Sequence, residues 1–168
     1  MHSFETLSFY RGLSKDVPLD RPSLFKTRKD RIPRDTPIHL HNAANEWFKG
    51  KFGVAYRSEA LFLTPSPTIA QFYGKSKSKD HCVRVIPIGP YTYCWSSKYA
   101  DFLHLAKDSP SPEELAQRLD QSNYDDKNLD LAHESGNEIM LCCAAYITIP
   151  IELFLANNEL AEKSSIIV

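Results

Sequence analysis

Two charged residues stand at the edges of predicted strands, and their types suit chemistry on a phosphorylated sugar. Arg11 ends a short strand near the beginning of the chain and is followed by Gly12. An arginine followed by glycine places a cation beside accessible backbone N–H and C=O groups, which suits a phosphate or a carboxamide. Glu138 opens the last strand. A carboxylate at the mouth of a strand suits a sugar hydroxyl or a developing positive charge.

A third polar position lies in the segment Ala60–Gly74, which predicts a strand, a tight turn and a short helix. Pro65 and Pro67 cannot continue a strand interior because proline has no backbone N–H. Apolar residues then recur at helical spacing at Ile69, Phe72 and Tyr73. The corner places the hydroxyls of Thr64 and Ser66 at the edge of a cleft. The alternative is a structural corner without chemistry, which ordinary domains also contain.

Length and composition predict an ordinary globular protein. The 168 residues suit one domain, 1–168, and the 42% hydrophobic and 24% charged shares are typical of such domains. A net charge of −1 argues against strong non-specific binding of nucleic acid but leaves a local basic patch open. No apolar run approaches the roughly 20 residues of a membrane helix, and no signal peptide is recognisable. We therefore expect no membrane partner and a cytoplasmic location, either in the producing cell or in a target cell.

The cysteines and histidines do not form a metal-binding pattern. The cysteines are Cys82, Cys94, Cys142 and Cys143, with no CxxC pair, so free thiols are predicted. A metal-dependent nuclease that uses His39, His41, His81 and His133 is the alternative. His39 and His41 diverge by about 200° on a helix of 3.6 residues per turn, so they cannot face one metal. We therefore predict no metal.

Hydrophobic periodicity predicts the remaining elements. Helices are predicted over residues 38–52, 99–106 and 112–121, and strands over residues 7–10, 83–88, 91–95 and 138–149. The segments 14–37 and 122–137 are predicted to be loops. The last strand is apolar on both faces, as a buried central strand is. The order of the elements predicts an α+β domain with largely antiparallel sheets.

Basic residues cluster in the predicted loop 14–37. They are Arg21, Lys26, Arg28, Lys29, Arg31 and Arg34, and Lys75, Lys77 and Lys79 follow in a later polar turn. One interpretation is an ordinary solvated loop. The other is a lip that contacts the phosphates of a ligand or a nucleic acid.

Taken together and in this order, the polar motifs resemble the three-part signature of the ADP-ribosyltransferase family. Phe9–Gly12 resembles the arginine part on the first strand. Phe62–Ser66 resembles the aromatic-x-Ser-Thr-Ser part, with Thr64 in place of the first serine and Pro65 in place of the threonine. Gly136–Glu138, before the apolar strand, resembles the glutamate part.

A second feature resembles the diphtheria-toxin-like and poly-ADP-ribosylating members of the family. Phe62 and Tyr73 are aromatic residues separated by ten others, the spacing of a pair that stacks on nicotinamide. The first-strand histidine of those members is replaced by Arg11. The chain is therefore more similar to the arginine-serine-glutamate branch, which contains many toxins.

This resemblance implies a fold, a ligand and a set of roles. The fold would consist of split antiparallel β-sheets with flanking short helices and an NAD cleft between them. NAD would be the co-substrate, without a metal. Arg11 would hold a phosphate or ribose, and the Gly12 backbone would pair with the nicotinamide carboxamide. Glu138 would bind the nicotinamide-ribose 2′-hydroxyl and stabilise the oxocarbenium-like transition state, oriented by a hydrogen bond from Thr64. Phe62 or Tyr73 would pack on the nicotinamide ring, and Ser66 would complete the NAD site.

The acceptor implied by the resemblance is less defined. Arginine-modifying members carry a second glutamate two positions before the catalytic one, where this chain has Gly136, and Glu134 lies four positions before. A nucleic-acid acceptor, RNA or DNA, is therefore favoured over a protein. Candidate substrate-binding residues are Arg31, Arg34, Glu134 and Asn137. The alternatives are a toxin that only hydrolyses NAD and a non-catalytic binding module. A bacterial or phage toxin would also require an antitoxin or immunity protein.

Overall fold

Two long antiparallel strands form the centre of the sheet. The computed structural model describes residues 3–13, 19–74 and 82–153. Within them, β4 (Cys82–Ser96) and β6 (Ile139–Pro150) pair along almost their whole length, from Val83 opposite Pro150 to Trp95 opposite Ile139. The register shifts between Ile88 and Tyr91, next to Gly89 at φ +74°. This irregularity fits a glycine because few other residues adopt positive φ without strain.

Among the described residues, four short strands complete one antiparallel sheet of six strands. β1 (Tyr10–Gly12) and β5 (Tyr124–Asp125) pair with β4, and β2 (Ser23–Lys26) and β3 (Leu61–Leu63) pair with β6. The α+β class is confirmed. The resemblance implied separate sheets, but here hydrogen bonds connect all six described strands into one sheet because β4 and β6 are long enough to carry partners at both ends.

An isolated bridge brings β1 next to the end of β3. The Tyr10 N–H donates to the Thr64 carbonyl at 2.7 Å, and the Thr64 N–H donates back to the Tyr10 carbonyl at 3.0 Å. The strand that carries Arg11 and the corner that carries Thr64 are therefore neighbours, although β1 pairs with β4 and β3 pairs with β6.

In the described residues, six helices of four or more residues flank the sheet. They are α1 (Ile38–Phe52), α2 (Tyr56–Glu59), α3 (Pro67–Tyr73), α4 (Phe102–Leu105), α5 (Pro112–Asp120) and α6 (Leu129–Ser135). The predicted bounds of α1 are confirmed, and Gly53 ends this helix at φ +75° with its N–H on the Lys49 carbonyl. α5 begins with a capping box between Ser111 and Glu114. Among the described residues, no helix combines the length and apolar character needed to cross a bilayer.

Two large apolar clusters form most of the core of the described residues. One joins β1, β3, β4 and β6 and includes Phe9, Leu63, Val85 and Ile139. The other packs α1, α4 and α5 together with Met140 of β6 and includes Leu40, Phe48, Phe102 and Leu119. The cysteines are free, as predicted. Since both clusters reach the beginning of β6, the Glu138 backbone lies between well-packed elements.

Several predicted elements differ from the structure. The first strand is Tyr10–Gly12 rather than residues 7–10, although the Phe9 carbonyl already accepts from Val85. The loop predicted over 14–37 contains β2, and the loop predicted over 122–137 contains β5 and α6. The two strands were missed because β2 is stabilised by pairing with β6 and β5 by pairing with β4, and not by a local hydrophobic pattern.

Candidate active site

A cavity of about 550 Å³ lies between β1, β3, α3 and the segment 26–36. Arg11 and Glu138 both line it. The structure thus brings together the first and the last of the residues that the sequence singled out. A volume of this size suits a small organic ligand such as a nucleotide.

The cavity wall is strongly basic although the whole chain carries a net charge of −1. Its cationic residues are Arg11, Lys26, Arg28, Arg31, Arg34 and Arg57, and its acidic residues are Asp35 and Glu138. Arg28 pairs with Asp30 at 3.2 Å, and Arg34 pairs with Asp35 at 3.9 Å. Within the described residues, Arg11 and Arg31 have no acidic partner within 4 Å. Such a concentration of one sign of charge favours an anionic ligand.

Glu138 presents a largely buried carboxylate to this cavity. Its side chain is 14% exposed, and its Oε1 lies 3.8 Å from Nη1 of Arg57 and accepts a 3.4 Å hydrogen bond from the Phe102 N–H. Burial raises the pKa of Glu138 above its ordinary value, and nearby Asp101 adds to this effect. Arg57 and the Phe102 N–H oppose it by stabilising the ionised form.

Arg57 of α2 is a site residue that sequence reasoning missed. Its side chain is 8% exposed. The guanidinium lies 4.0 Å from the centroid of the Phe102 ring and 4.5 Å from that of Phe62. Packing against two rings fixes its position beside Glu138. No sequence motif indicates Arg57, because α2 contacts the beginning of β6 only in the folded chain.

The two predicted nicotinamide-stacking rings differ in what surrounds them. The Phe62 ring is covered by guanidinium groups, with Arg31 at 3.8 Å and Arg57 at 4.5 Å from its centroid. Tyr73 lines the cavity, is 45% exposed, and donates its hydroxyl to Asp101 at 2.5 Å. Asp101 is buried and also accepts from the His104 N–H, which caps α4. Of the two rings, Tyr73 is the one that is oriented by a hydrogen bond and open to a ligand.

Thr64 and Ser66 act differently from the expected donors. The Thr64 hydroxyl donates to the Gly136 carbonyl at 3.3 Å and accepts from the Ser66 N–H at 3.2 Å. The hydrogen bond expected from Thr64 to Glu138 is absent from the described residues, and Thr64 instead holds the turn that precedes Glu138. Ser66 caps α3 by accepting from the Ile69 N–H and does not line the cavity.

Gly12 allows β1 to lie directly against α3. A Cβ added at this position would lie 2.0 Å from the Ala70 carbonyl oxygen and 2.4 Å from the Gly74 nitrogen. Both distances are shorter than van der Waals contact, so only glycine fits. The glycine is therefore explained by packing within the protein, and its backbone also lines the cavity.

The predicted substrate-binding residues fall into two groups. Arg31 and Arg34 line the cavity. Glu134 is exposed on α6 and does not line it, and the Asn137 amide donates to the Ser96 carbonyl at 2.9 Å, which ties the turn to β4. Lys75, Lys77, Lys79 and His81 lie outside the described residues. In the part of the chain that is described, no three His, Cys, Asp or Glu side chains converge as metal ligands would.

The arrangement suits an anionic ligand of nucleotide size in three respects. The cavity is large enough for a nucleotide, its basic wall complements a pyrophosphate, and its buried carboxylate suits a ribose hydroxyl. No protein-family model, curated protein or solved structure matches the chain. The resemblance to ADP-ribosyltransferases therefore stays a prediction from the sequence motifs.

Proposed function

We propose that this protein cleaves NAD and transfers ADP-ribose to a macromolecular acceptor. One observation carries the proposal: Arg11 and Glu138, at opposite ends of the motif pattern, line one basic cavity of about 550 Å³. An ADP-ribosyltransferase-like fold belongs to the same proposal. It is supported by the antiparallel α+β architecture and by the Tyr10–Thr64 bridge, which joins β1 to the corner after β3 at this cavity.

Each cavity residue has a separate role in the proposed reaction. Arg11, which has no acidic partner among the described residues, binds a phosphate of NAD. Tyr73 packs on the nicotinamide ring. The bond between the ribose C1′ and the nicotinamide nitrogen breaks, and nicotinamide leaves with the electron pair. Glu138 stabilises the positive charge that develops on the ribose. The acceptor then attacks C1′ and loses a proton.

The basic segment favours a nucleic-acid acceptor over a protein acceptor. Lys26, Arg28, Arg31 and Arg34 all line the cavity and come from one stretch of chain. Phosphate contacts from such a stretch position a nucleic acid without reading its sequence. A toxin or effector role in the cytoplasm, with an antitoxin or immunity protein as partner, remains a prediction from the family resemblance.

The test is incubation with NAD that carries a label in its adenosine half, together with separate pools of RNA, DNA and protein. We expect nicotinamide release and label in the nucleic-acid pool. Glu138→Gln should reduce both by about 10²-fold or more, as loss of a key electrostatic group does. Glu46→Gln is the matched control because Glu46 is exposed on α1 and away from the cavity. Nicotinamide release without label in any pool would identify an NAD glycohydrolase instead.

A second candidate is a module that binds an anionic ligand without turning it over. The contact between Glu138 and Arg57 favours it, because a buried carboxylate paired with an arginine can serve structure alone. This candidate predicts NAD binding without nicotinamide release. It also predicts that Glu138→Gln changes stability and leaves function intact.

A further inference from the structure

Three residues that line the cavity each carry a buried side-chain nitrogen without a hydrogen-bond partner among the described residues. They are Nη1 of Arg31, Nδ1 of His41 and Nε of Arg57. An unpaired buried polar atom is costly, and most native structures contain few of them. A ligand bound between these three residues would supply the missing acceptor atoms.

The protonation state of His41 follows from its neighbours. The Asn45 side-chain oxygen accepts from the Ser58 N–H at 3.1 Å, which fixes the orientation of this amide. The Asn45 side-chain nitrogen therefore lies 3.1 Å from Nε2 of His41 and is the donor of that pair. This contact favours Nε2 as an acceptor, which places the proton of the neutral ring on Nδ1.

His41 is therefore a neutral donor. Its side chain is buried at 3% exposure, and burial together with the charges of Arg57 and Arg31 lowers its pKa. The ring is neutral at pH 7, with Nε2 bonded to Asn45 and Ser58. The unpaired group is then a buried Nδ1–H.

The three donors are held in one frame. Arg31 and Arg57 both lie over the Phe62 ring. The backbone N–H of Arg31 donates to the Ser58 carbonyl at 3.2 Å, and the Ser58 hydroxyl lies 3.0 Å from Nε2 of His41. Burial lowers the pKa of Arg31 to about 10, and repulsion from the charges of Arg57 and Arg11 contributes to this shift. The repulsion from Arg57 agrees with the position of both guanidinium groups over the Phe62 ring. Contacts within the protein hold the frame together, so little ordering is required on binding.

We infer that Arg31, His41 and Arg57 form a subsite for a phosphate group. All three supply donors only, two of them cationic, and Glu138 is the one acidic side chain that contacts the frame in the described residues. A tetrahedral phosphate accepts from several directions and carries up to two negative charges, whereas a carboxylate has two oxygens and one charge. The inference concerns binding and does not depend on NAD cleavage.

The test uses the full chain with ¹⁵N-labelled histidine and two probes, inorganic phosphate and AMP, with adenosine as the neutral comparison. We expect the His41 resonances to show the Nδ1–H tautomer before any addition. Saturating phosphate or AMP should then shift the Nδ1 resonance, while adenosine should not. A shift with phosphate alone identifies a site for free phosphate, and a stronger response to AMP identifies a nucleotide site.

Two variants test the cationic part by calorimetry. Arg31→Gln should weaken phosphate or AMP binding by about tenfold or more, the usual cost of a charge-assisted hydrogen bond. Lys49→Gln makes the same change of charge at an exposed residue of α1 outside the cavity and should stay within about twofold. An Nε2–H tautomer, an unshifted Nδ1 resonance, or equal weakening in both variants would overturn the subsite. The NMR result needs no variant, and neither readout needs NAD turnover, so failure here is distinct from failure of the proposed activity.

Discussion

At the scale of single residues, the contact between Glu138 and Arg57 determines the charge at the centre of the cavity. Burial and Asp101 favour the protonated carboxyl, whereas Arg57 favours the carboxylate. The balance leaves the pKa of Glu138 above its ordinary value. The proposed role of Glu138 requires its ionised form. The pH and the presence of Arg57 should therefore both affect the rate of NAD cleavage.

The first prediction concerns the pH dependence of NAD cleavage. A raised pKa means that Glu138 gains its proton at a higher pH than an ordinary glutamate, so kcat/KM should fall as pH decreases through that raised value. Arg57→Met removes the main group that lowers the pKa but keeps an apolar side chain near Phe62 and Phe102. The fall should therefore begin at a higher pH in this variant, and Arg57→Lys should partly reverse the change. An identical pH profile in all three proteins would contradict this electrostatic role.

The second prediction concerns the ring of Tyr73. Tyr73→Ala should raise KM for NAD by about 2- to 10-fold, as expected for the loss of an aromatic stacking contact. Tyr73→Phe keeps the ring and loses the bond to Asp101, so its effect should be smaller. Phe72→Ala removes a neighbouring ring that is 84% exposed and should leave KM unchanged. If Phe72→Ala and Tyr73→Ala raise KM equally, Tyr73 has no specific contact with the ligand.

At the scale of elements, the close packing of β1 on α3 predicts a stability change. Gly12→Ala should reduce the free energy of unfolding by about 1–3 kcal/mol, because the new Cβ meets backbone atoms of Ala70 and Gly74. Gly50→Ala is the matched control, since a Cβ there has no neighbour within 4 Å. That substitution in α1 should stabilise by about 0.5–1 kcal/mol. Urea denaturation measures both, and a loss of stability in both variants would show that the contact at Gly12 is not the cause.

The elements that sequence alone could predict are those with local signals. α1, α3 and α5 were predicted because proline, glycine and capping residues mark their ends, and β6 because its apolar run is long. β2 and β5 were missed because they depend on partner strands distant in sequence. Arg11 and Glu138 belong to a sequence motif, whereas Arg57 and His41 have no local sequence signal. Their significance comes from contacts between α1, α2 and the beginning of β6.

At the scale of the whole molecule, the distribution of charge predicts a dependence on salt. The chain is almost neutral overall, but six cationic residues line one cavity. Binding of an anionic substrate should therefore weaken as salt screens this charge, over a Debye length of about 10 Å at 0.1 M. We expect KM for NAD to rise between low and high salt, while inhibition by neutral nicotinamide should change little. A KM that does not depend on salt would mean that the basic wall does not contribute to binding.

The bridge between Tyr10 and Thr64 also bears on how a ligand reaches the cavity. Two backbone hydrogen bonds join β1 to the corner after β3, and separating these elements would break both. Residues 27–36 face the cavity from another side and contain no helix or strand. Within the described residues, 32–36 make no backbone hydrogen bond to another element, so we expect exchange with solvent past them rather than between the bridged strands. The segment 27–36 carries three of the six cationic residues of the cavity wall, Arg28, Arg31 and Arg34. We therefore expect an anionic molecule that enters here to contact positive charge before it reaches Glu138.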